Sequence, residues 1–284
     1  MQLRVLGAGD EKTLEAFLVR HADSSMILRS NVRAGGLEDH DERYQGTYAA
    51  AFDGDRIVAV AAHSWNGVLV LQAPVAVPDV VRLAVGTSRR HVRGLIGPWQ
   101  QVVAVRQALG RADTPARSES REILYTLDLA DLIVPSALGS GVVRCRRSSA
   151  EDFDTLTQWR VAYRGETMNE PPTPELAADA RRDIEALHEG ARSFVLEHAG
   201  AVVAFSGFNA VLPDIVQVGG VWTPPELRGR GYARAVVAGS LISAREGGAA
   251  RSVLFTADDN VPAQRAYVAL GFRAIGDYGI IGFA

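Results

Sequence analysis

The sequence predicts an α+β fold in two consecutive segments that share one order of elements. Three observations lead there. The chain has 284 residues, a length that most naturally holds two domains of about 150 residues each. Apolar residues make up 47% and charged residues 22%, so each segment can bury a core, and neither disorder nor a collagen-like repeat fits. Strand and helix patterns also recur in the same order on either side of Pro135-Ser136-Ala137-Leu138-Gly139-Ser140-Gly141, a linker composition.

In the first segment, 1–135, a strand pattern at 3–6 leads to Asp10 as a helix N-cap. The helix runs to about residue 20 with Leu14, Phe17 and Leu18 on one face. Residues 29–43 are a polar stretch with mixed charges and Gly35-Gly36. Strands at 48–53 and 56–63 flank Gly54-Asp55, a hairpin signal. A strand at 67–72, a helix at 79–88 and an apolar run at 92–96 follow. A helix then starts near Pro98 and stops at Gly110, and 122–129 is a strand.

The second segment, 142–284, opens with a strand at 142–146. Ser149 caps a helix over 150–164, and a second helix covers 174–189. A hairpin of 193–198 and 201–209 turns at Ala199-Gly200. A strand at 214–223, a helix at 230–246, a strand at 252–256 and a helix at 261–270 follow. Strands at 272–275 and 278–283 close the chain. Phe52-Asp53-Gly54-Asp55-Arg56-Ile57-Val58-Ala59-Val60 sets beside Leu196-Glu197-His198-Ala199-Gly200-Ala201-Val202-Val203-Ala204. Later, Arg106-Gln107-Ala108-Leu109-Gly110 sets beside Tyr267-Val268-Ala269-Leu270-Gly271. Falling in the same order, the two matches predict an internal duplication.

The formal net charge is −3, without the basic excess that neutralises phosphates, so no nucleic-acid partner is expected. Cys145 is the single cysteine. It excludes an intrachain disulfide, fits a reducing compartment and reads as a buried small hydrophobe. The beginning of the sequence carries no apolar leader. The longest uncharged stretch, 57–78, contains His63, Asn66, Gln72 and two prolines. A soluble, cytoplasmic protein with no membrane partner is expected. The six histidines are scattered without metal spacing, so no metal is expected.

The stretch that carries chemistry is Gly219-Gly220-Val221-Trp222-Thr223-Pro224-Pro225-Glu226-Leu227-Arg228-Gly229-Arg230-Gly231-Tyr232-Ala233. It reads as a strand, a Pro-punctuated turn, a glycine-rich loop and a helix start. Gly229 and Gly231 allow close backbone approach and unusual dihedrals. The first amides of the helix have no internal partner and point outward at the positive end of the dipole. Arg228, Arg230 and Arg234 add charge, and a diphosphate is the natural ligand. The dinucleotide Gly-x-Gly-x-x-Gly and the P-loop Gly-Lys-Ser/Thr are both missing.

Here the sequence resembles the GCN5-related N-acetyltransferase (GNAT) superfamily. Arg228-Gly229-Arg230-Gly231-Tyr232-Ala233 matches its Gln/Arg-x-x-Gly-x-Gly/Ala signature. Asn260-Val261-Pro262-Ala263-Gln264-Arg265-Ala266-Tyr267-Val268-Ala269-Leu270-Gly271-Phe272 resembles its second helix element. The resemblance covers 142–284 well and 1–135 only faintly. It implies two tandem acyl-CoA N-acyltransferase folds, each a mixed, mostly antiparallel sheet flanked by helices, with acetyl-CoA as cofactor. The strand end Val221, Trp222 and Thr223 would then pair its backbone with the pantetheine arm. The loop and helix start, Arg228 to Arg234, would hold the diphosphate, with Tyr232 and Ala233 inside it. Asn260 corresponds to a residue beside the cofactor and Tyr267 to the acid that protonates the leaving thiolate.

Read without the family, Tyr267 is a core aromatic at helical spacing and Asn260 a helix N-cap. A tyrosine hydroxyl near a leaving sulfur is also a workable proton donor. A neutral amine nucleophile needs a base, yet the strand Gln217-Val218-Gly219-Gly220 carries no carboxylate where some relatives place a Glu. Glu166 and Glu170 sit where relatives line the acceptor pocket and could bind a cationic amine; a solvated loop is the other reading. In the first half, Arg106 stands at the Tyr267 position and Trp99 at the Asn260 position, and no glycine–arginine loop follows 67–72. That half is expected to be degenerate. The implied reaction is direct transfer of acetyl to a primary amine of a small molecule or peptide, by a monomer or homodimer. A mycothiol synthase-like transfer to a thiol-sugar intermediate, or a regulator that binds acyl-CoA without turnover, stays open.

Overall fold

Both faces of the amino-terminal strands are apolar, and the computed structural model, which describes residues 1–283, covers both. The chain divides into two compact units. The first holds residues 1–124, 255–259 and the segment from Ala274 onward; the second holds 125–254 and 260–273.

The first unit runs β1 (Gln2–Val5), α1 (Glu11–Leu18), α2 (Met26–Gly35), β2 (Gly46–Asp53), β3 (Arg56–Ser64), β4 (Val68–Gln72), α3 (Val77–Ser88), β5 (Gly94–Pro98) and α4 (Trp99–Ala108). Strands β1 to β4 pair antiparallel in chain order, and β4 pairs parallel with β5. Period-two alternation sorts β2 between two cores. Tyr48, Ala50 and Phe52 join Leu14, Phe17 and Leu28 of α1 and α2. Ala49 and Ala51 join Val80, Val81 and Ala84 of α3.

Helix α2 occupies part of the polar stretch 29–43, for which no element was expected. Its buried side includes Arg29 and Asn31 besides Met26 and Leu28. Arg29 lies inside because its guanidinium meets Glu15 of α1 at 2.7 Å, and a charge on the inner face hides the helical pattern. Asp10 stands at the N-cap of α1 without capping it. Its carboxylate takes the Gly7 amide at 3.0 Å and two bonds from Arg4.

Strand β6 (Ser118–Asp128) follows, and its last residues, from Tyr125, belong to the second unit. Then come α5 (Ser136–Gly139) inside the Pro/Gly/Ser stretch, β7 (Val143–Arg147), α6 (Phe153–Met168) and α7 (Pro174–Glu189). The unit continues with β8 (Ser193–His198), β9 (Ala201–Val211), β10 (Ile215–Trp222), α8 (Tyr232–Glu246), β11 (Arg251–Ala257) and α9 (Val261–Val268), and β12 (Arg273–Gly282) ends the chain. Ser149 and Asp152 form a capping box ahead of α6. The Thr173 hydroxyl accepts from the Leu176 amide at 3.1 Å to start α7 behind Pro174.

Strands β7 to β10 pair antiparallel in chain order and β10 pairs parallel with β11. That is the pairing sequence of β1 to β5, and each helix of the first unit has its counterpart at the same point in the second. The fold is α+β, with mostly antiparallel strands in both units.

The final strand departs from the linear order. The two closing strands expected at 272–275 and 278–283 are one strand, β12, which pairs antiparallel with β5 from Tyr278↔Pro98 to Gly282↔Gly94. Ile281 and Phe283 join the core under α3. Residues 125–135 lie in the second unit and the chain from Ala274 in the first.

Candidate active site

Within the second unit, β10 and β11 are laddered only from Ile215↔Arg251 to Gln217↔Val253. From Val218 to Trp222, β10 continues with one laddered edge, that facing β9. A bulge falls in this stretch. Gly219 opposes Gly207 and Trp222 opposes Phe205, which leaves Gly220 and Val221 facing Ser206 alone. Gly220 has φ +63°, a left-handed conformation that glycine adopts at least strain and that bends the strand. The sequence places β10's free amides and carbonyls at the carboxyl end of parallel strands, where open sheets leave a crevice.

Trp222 anchors this end. Its side chain is buried among Leu156, Ile184, Val195 and Phe205, so only its backbone is left for a ligand. Val221 is half-buried, and Thr223 is buried with a side-chain oxygen that has no hydrogen-bond partner among the described residues. A short 3-10 turn, Pro225–Leu227, then lifts the chain into Arg228-Gly229-Arg230-Gly231.

Gly229 and Gly231 both have φ near +78°, at +77° and +78°. A Cβ built on Gly229 meets nothing within 4 Å, and one on Gly231 meets only Arg234 Nη2, at 3.8 Å. Gly231 is the N-cap of α8, and no side chain caps that helix. Ala235 is the first α8 residue whose amide bonds back, to the Gly231 carbonyl at 3.0 Å. The amides of Tyr232, Ala233 and Arg234 therefore present the positive end of a fifteen-residue helix. Gly229, Arg230, Gly231 and Arg234 are exposed and Ala233 is half-buried.

The three arginines differ in their commitments. Arg228 donates from Nε to the Thr223 carbonyl at 3.1 Å and from Nη2 to Glu166 at 2.8 Å, with its guanidinium 4.9 Å from the Trp222 ring centre. It clasps the loop to α6. Among the described residues, Arg230 reaches only the Glu226 carbonyl, at 3.5 Å. Tyr232 is buried, and its hydroxyl is 2.7 Å from Nδ1 of His198. The helix start is thus fixed from beneath by a side chain that offers nothing to a ligand above it.

Helix α9 starts at Asn260, whose side chain accepts from the Ala263 amide at 3.3 Å. The N-cap reading holds for its side chain, which is exposed. Tyr267, two turns on, is 8% exposed. Its ring lies 6.4 Å from that of Tyr125 and 6.0 Å from that of Phe272. Glu166 is paired with Arg228 and Glu170 with Arg164 at 2.6 Å. Glu166 is exposed near the end of α6 and Glu170 lies in the segment that follows that helix, and a cation at either carboxylate would compete with an arginine. No group of His, Cys, Asp or Glu among the described residues is arranged to hold a metal. No described helix is long and apolar enough to cross a membrane.

Residues 153–272, which contain every part of this arrangement, match the family model described as acetyltransferase (GNAT) family. This segment is a GNAT-family domain. Solved structures extend the fold likeness to the whole chain. A GNAT-family acetyltransferase from Colwellia psychrerythraea is 14% identical, covers 100% of both chains and superposes with a TM-score of 0.56. A GCN5-related N-acetyltransferase from Kribbella flavida is 18% identical over 98% of this chain and 96% of its own, TM-score 0.57. A tandem GNAT protein from the clavulanic acid biosynthesis pathway is 13% identical over 99% and 97%, also at 0.57. No curated protein sequence matches the chain.

The GNAT-type junction has a counterpart in the first unit, built differently. There β4 and β5 are laddered over Val68–Val70 of a five-residue strand. A Cβ on Gly97 of β5 would lie 2.8 Å from the Leu71 Cβ, and the Gln101 side chain takes the Ala73 amide at 2.7 Å. The strand end is filled by the unit's own residues. Arg106, at the Tyr267 position, is held by Glu119 and the carbonyls of Arg111 and Thr114. An open cavity of about 540 Å³ in this unit is lined by Phe17, Arg20, His21, Asp53, Pro74 and Val75 among others.

Three features of the GNAT domain's site escape sequence reasoning: the Arg228–Glu166 clasp, the Tyr232–His198 bond and the unpartnered Thr223 hydroxyl. The first two join residues 62 and 34 positions apart, and no periodicity links them. Cys145 is half-buried rather than fully buried, with Gly239 of α8 seated against it. Burial pushes its thiol pKa up to about 12, so it is not a nucleophile at neutral pH.

Proposed function

We propose that this protein is an acetyl-CoA-dependent N-acetyltransferase that acetylates a primary amine of a small molecule or peptide. The observation that carries the reading is the junction of β10 and α8. A parallel ladder that stops at Gln217 leads directly to an uncapped, glycine-rich helix start. The residues fit the group: Gly229 and Gly231 have positive φ, a Cβ on Gly229 would meet nothing within 4 Å, and the buried Thr223 hydroxyl just past β10 has no hydrogen-bond partner among the described residues.

The backbone of Val221, Trp222 and Thr223 would bind the pantetheine arm, and the amides from Gly229 to Arg234 the diphosphate. Arg230 and Arg234 add charge there, while Arg228 holds the loop in position through Thr223 and Glu166. When bound, acetyl-CoA supplies the activated acetyl group for direct attack by the amine. The Tyr267 hydroxyl is the proton donor to the departing sulfur, and Asn260 flanks the cofactor from the start of α9. Glu166 and Glu170 favour an amine that exchanges with an arginine at either carboxylate.

The first unit is a degenerate copy that binds no cofactor, a reading supported by its filled strand end and its Arg106 contacts. The protein works in the cytoplasm, as a monomer or homodimer. Free thiol released from acetyl-CoA, measured against amines, aminoglycosides, amino acids and peptides, tests the activity. Release with at least one primary amine is expected. Cofactor binding without release under any acceptor contradicts the enzymatic reading and favours a regulator; release only with a thiol-sugar amine favours the mycothiol synthase-like alternative.

A further inference from the structure

Beside the β10 bulge, two polar side chains rest directly on glycine backbone. Gly207 of β9 faces α7, since a Cβ there would lie 3.5 Å from Leu187 and 3.4 Å from the Phe205 ring. Gly219 opposes Gly207 in the antiparallel ladder, and directly opposed residues share a face. A Cβ on Gly219 would fall 2.2 Å from Nδ2 of Asn209. Asn209 is the β9 residue left unmatched between the pairs Gln217↔Ala210 and Val218↔Phe208, and it is exposed. A Cβ on Gly220 would lie 3.1 Å from Arg160 Nη1 of α6 and 3.7 Å from the same Phe205 ring. Consecutive Cα atoms are about 3.8 Å apart, so a guanidinium and a carboxamide flank one short piece of strand. Arg160 is loosely held. It reaches one oxygen of Asp183 on α7, at 3.2 Å from Nη2 and 3.4 Å from Nε, longer than the about 2.7–2.9 Å of a well-made ion pair. Its Nη1, the nitrogen nearest Gly220, has no hydrogen bond among the described residues. Arg164, one turn on, is closed by Glu170 at 2.6 Å. Arg160 and Gly220 are both half-buried, so neither is sealed from solvent.

We infer that Arg160 and Asn209 form a carboxylate subsite, which makes the acceptor an amino acid, a primary amine that carries its own acid group. The inference rests on the N-acetyltransferase reading of this junction and names the acceptor class that reading leaves open. Arg160 Nη1 and the Asn209 carboxamide each offer an N–H, and a carboxylate presents two oxygens to receive them. Gly220 belongs both to the bulge and to the part of β10 that has left β11, so a carboxylate held there keeps its own amine beside the open strand edge. Asp183 is the competing anion, and its long contacts leave Nη1 uncommitted. An acceptor without the acid forfeits a hydrogen bond to a charged group, and such a site discriminates against it.

The test measures thiol released from acetyl-CoA by the full chain, with α- and ω-amino acids and the carboxamide of each as paired acceptors. For the wild type, kcat/KM is expected to be about tenfold or more higher for the acid of the best pair than for its carboxamide. Arg160→Gln is expected to raise KM for that acid about 10- to 100-fold, leaving kcat, the carboxamide KM and CoA affinity within about twofold. Arg160→Lys restores part of the loss, and Asn209→Ala raises KM about three- to tenfold. Asp183→Asn, which removes the competing anion, leaves KM unchanged or lower. Release from amines without an acid group, at rates equal to or above those for amino acids, overturns the inference. Equal losses for acid and carboxamide in Arg160→Gln, or the same KM rise in Asp183→Asn, assign Arg160 to its pairing with α7 and overturn it too. CoA binding without release from any amine removes the N-acetyltransferase reading itself, and this inference with it.

Discussion

Replacing Gly231 by alanine separates the two demands placed on the helix start. At φ +78° and ψ +9° an L-residue is strained by about 1–2 kcal/mol. No clash adds to this, since the nearest atom to the new Cβ is Arg234 Nη2 at 3.8 Å. The methyl group does, however, stand where the open amides of α8 would meet a diphosphate. Hydrogen bonds to a charged group contribute about 1.5–3 kcal/mol each, so displacing one weakens CoA about 10- to 150-fold. Gly248, just beyond the other end of α8, is the control. It has φ +100° and nothing within 4 Å of an added Cβ, so Gly248→Ala carries similar strain without touching the site. Chemical denaturation should record comparable stability losses for the two variants, and calorimetric titration with CoA should record an affinity loss for Gly231→Ala alone. Wild-type CoA affinity in Gly231→Ala, or equal loss in both, would refute the reasoning.

Tyr267→Phe should lower turnover about a hundredfold with CoA affinity unchanged; equal turnover across several pH values would remove the acid assignment. Asp152→Asn should expose an acid-dependent support of α6. Burial works against the Asp152 carboxylate, but hydrogen bonds from Arg146 and the Ser149 amide outweigh it and hold its pKa below the ordinary value of 3.8. A depressed folded pKa stabilises above the unfolded pKa and loses that stabilisation as pH falls through the folded one. The variant should therefore be about 1–3 kcal/mol less stable than wild type at pH 7, with the gap closing below pH 3.8 in urea titrations. Ile281→Ala, at a side chain 2% exposed, should destabilise by about 2–5 kcal/mol. Hydrogen exchange should quicken in β4, β5 and α3 rather than in β7 to β9, because Ile281 belongs to the first unit's core.

What could be read from the sequence followed the range of its interactions. Helix α7 lies at 174–189 as expected because Thr173, Pro174 and the apolar spacing of Leu176, Ala180 and Ile184 all act within a few residues. The β2–β3 hairpin, closed by Gly54-Asp55, is equally local. Helix α2 was missed because Arg29 takes an inner position that only its pairing with Glu15 explains. The attachment of β12 to β5 depends on residues about 180 positions apart, so no local pattern could show it. At the site, the glycine loop and helix start were legible because backbone conformation and amide geometry are written in Gly229, Gly231 and the following pattern. The pairings of Glu166 with Arg228 and of Glu170 with Arg164 were not legible, because spacing alone does not place an arginine against either carboxylate.

The central claim is that one cofactor site per chain lies where β10 passes into α8. Backbone hydrogen exchange of the full protein with and without saturating CoA tests it most directly. The account predicts slowed exchange in Val221–Arg234 and at the start of α9, with the 71–80 stretch of the first unit unchanged. Protection centred on 71–80, or none at the β10–α8 junction while CoA is bound, would contradict it.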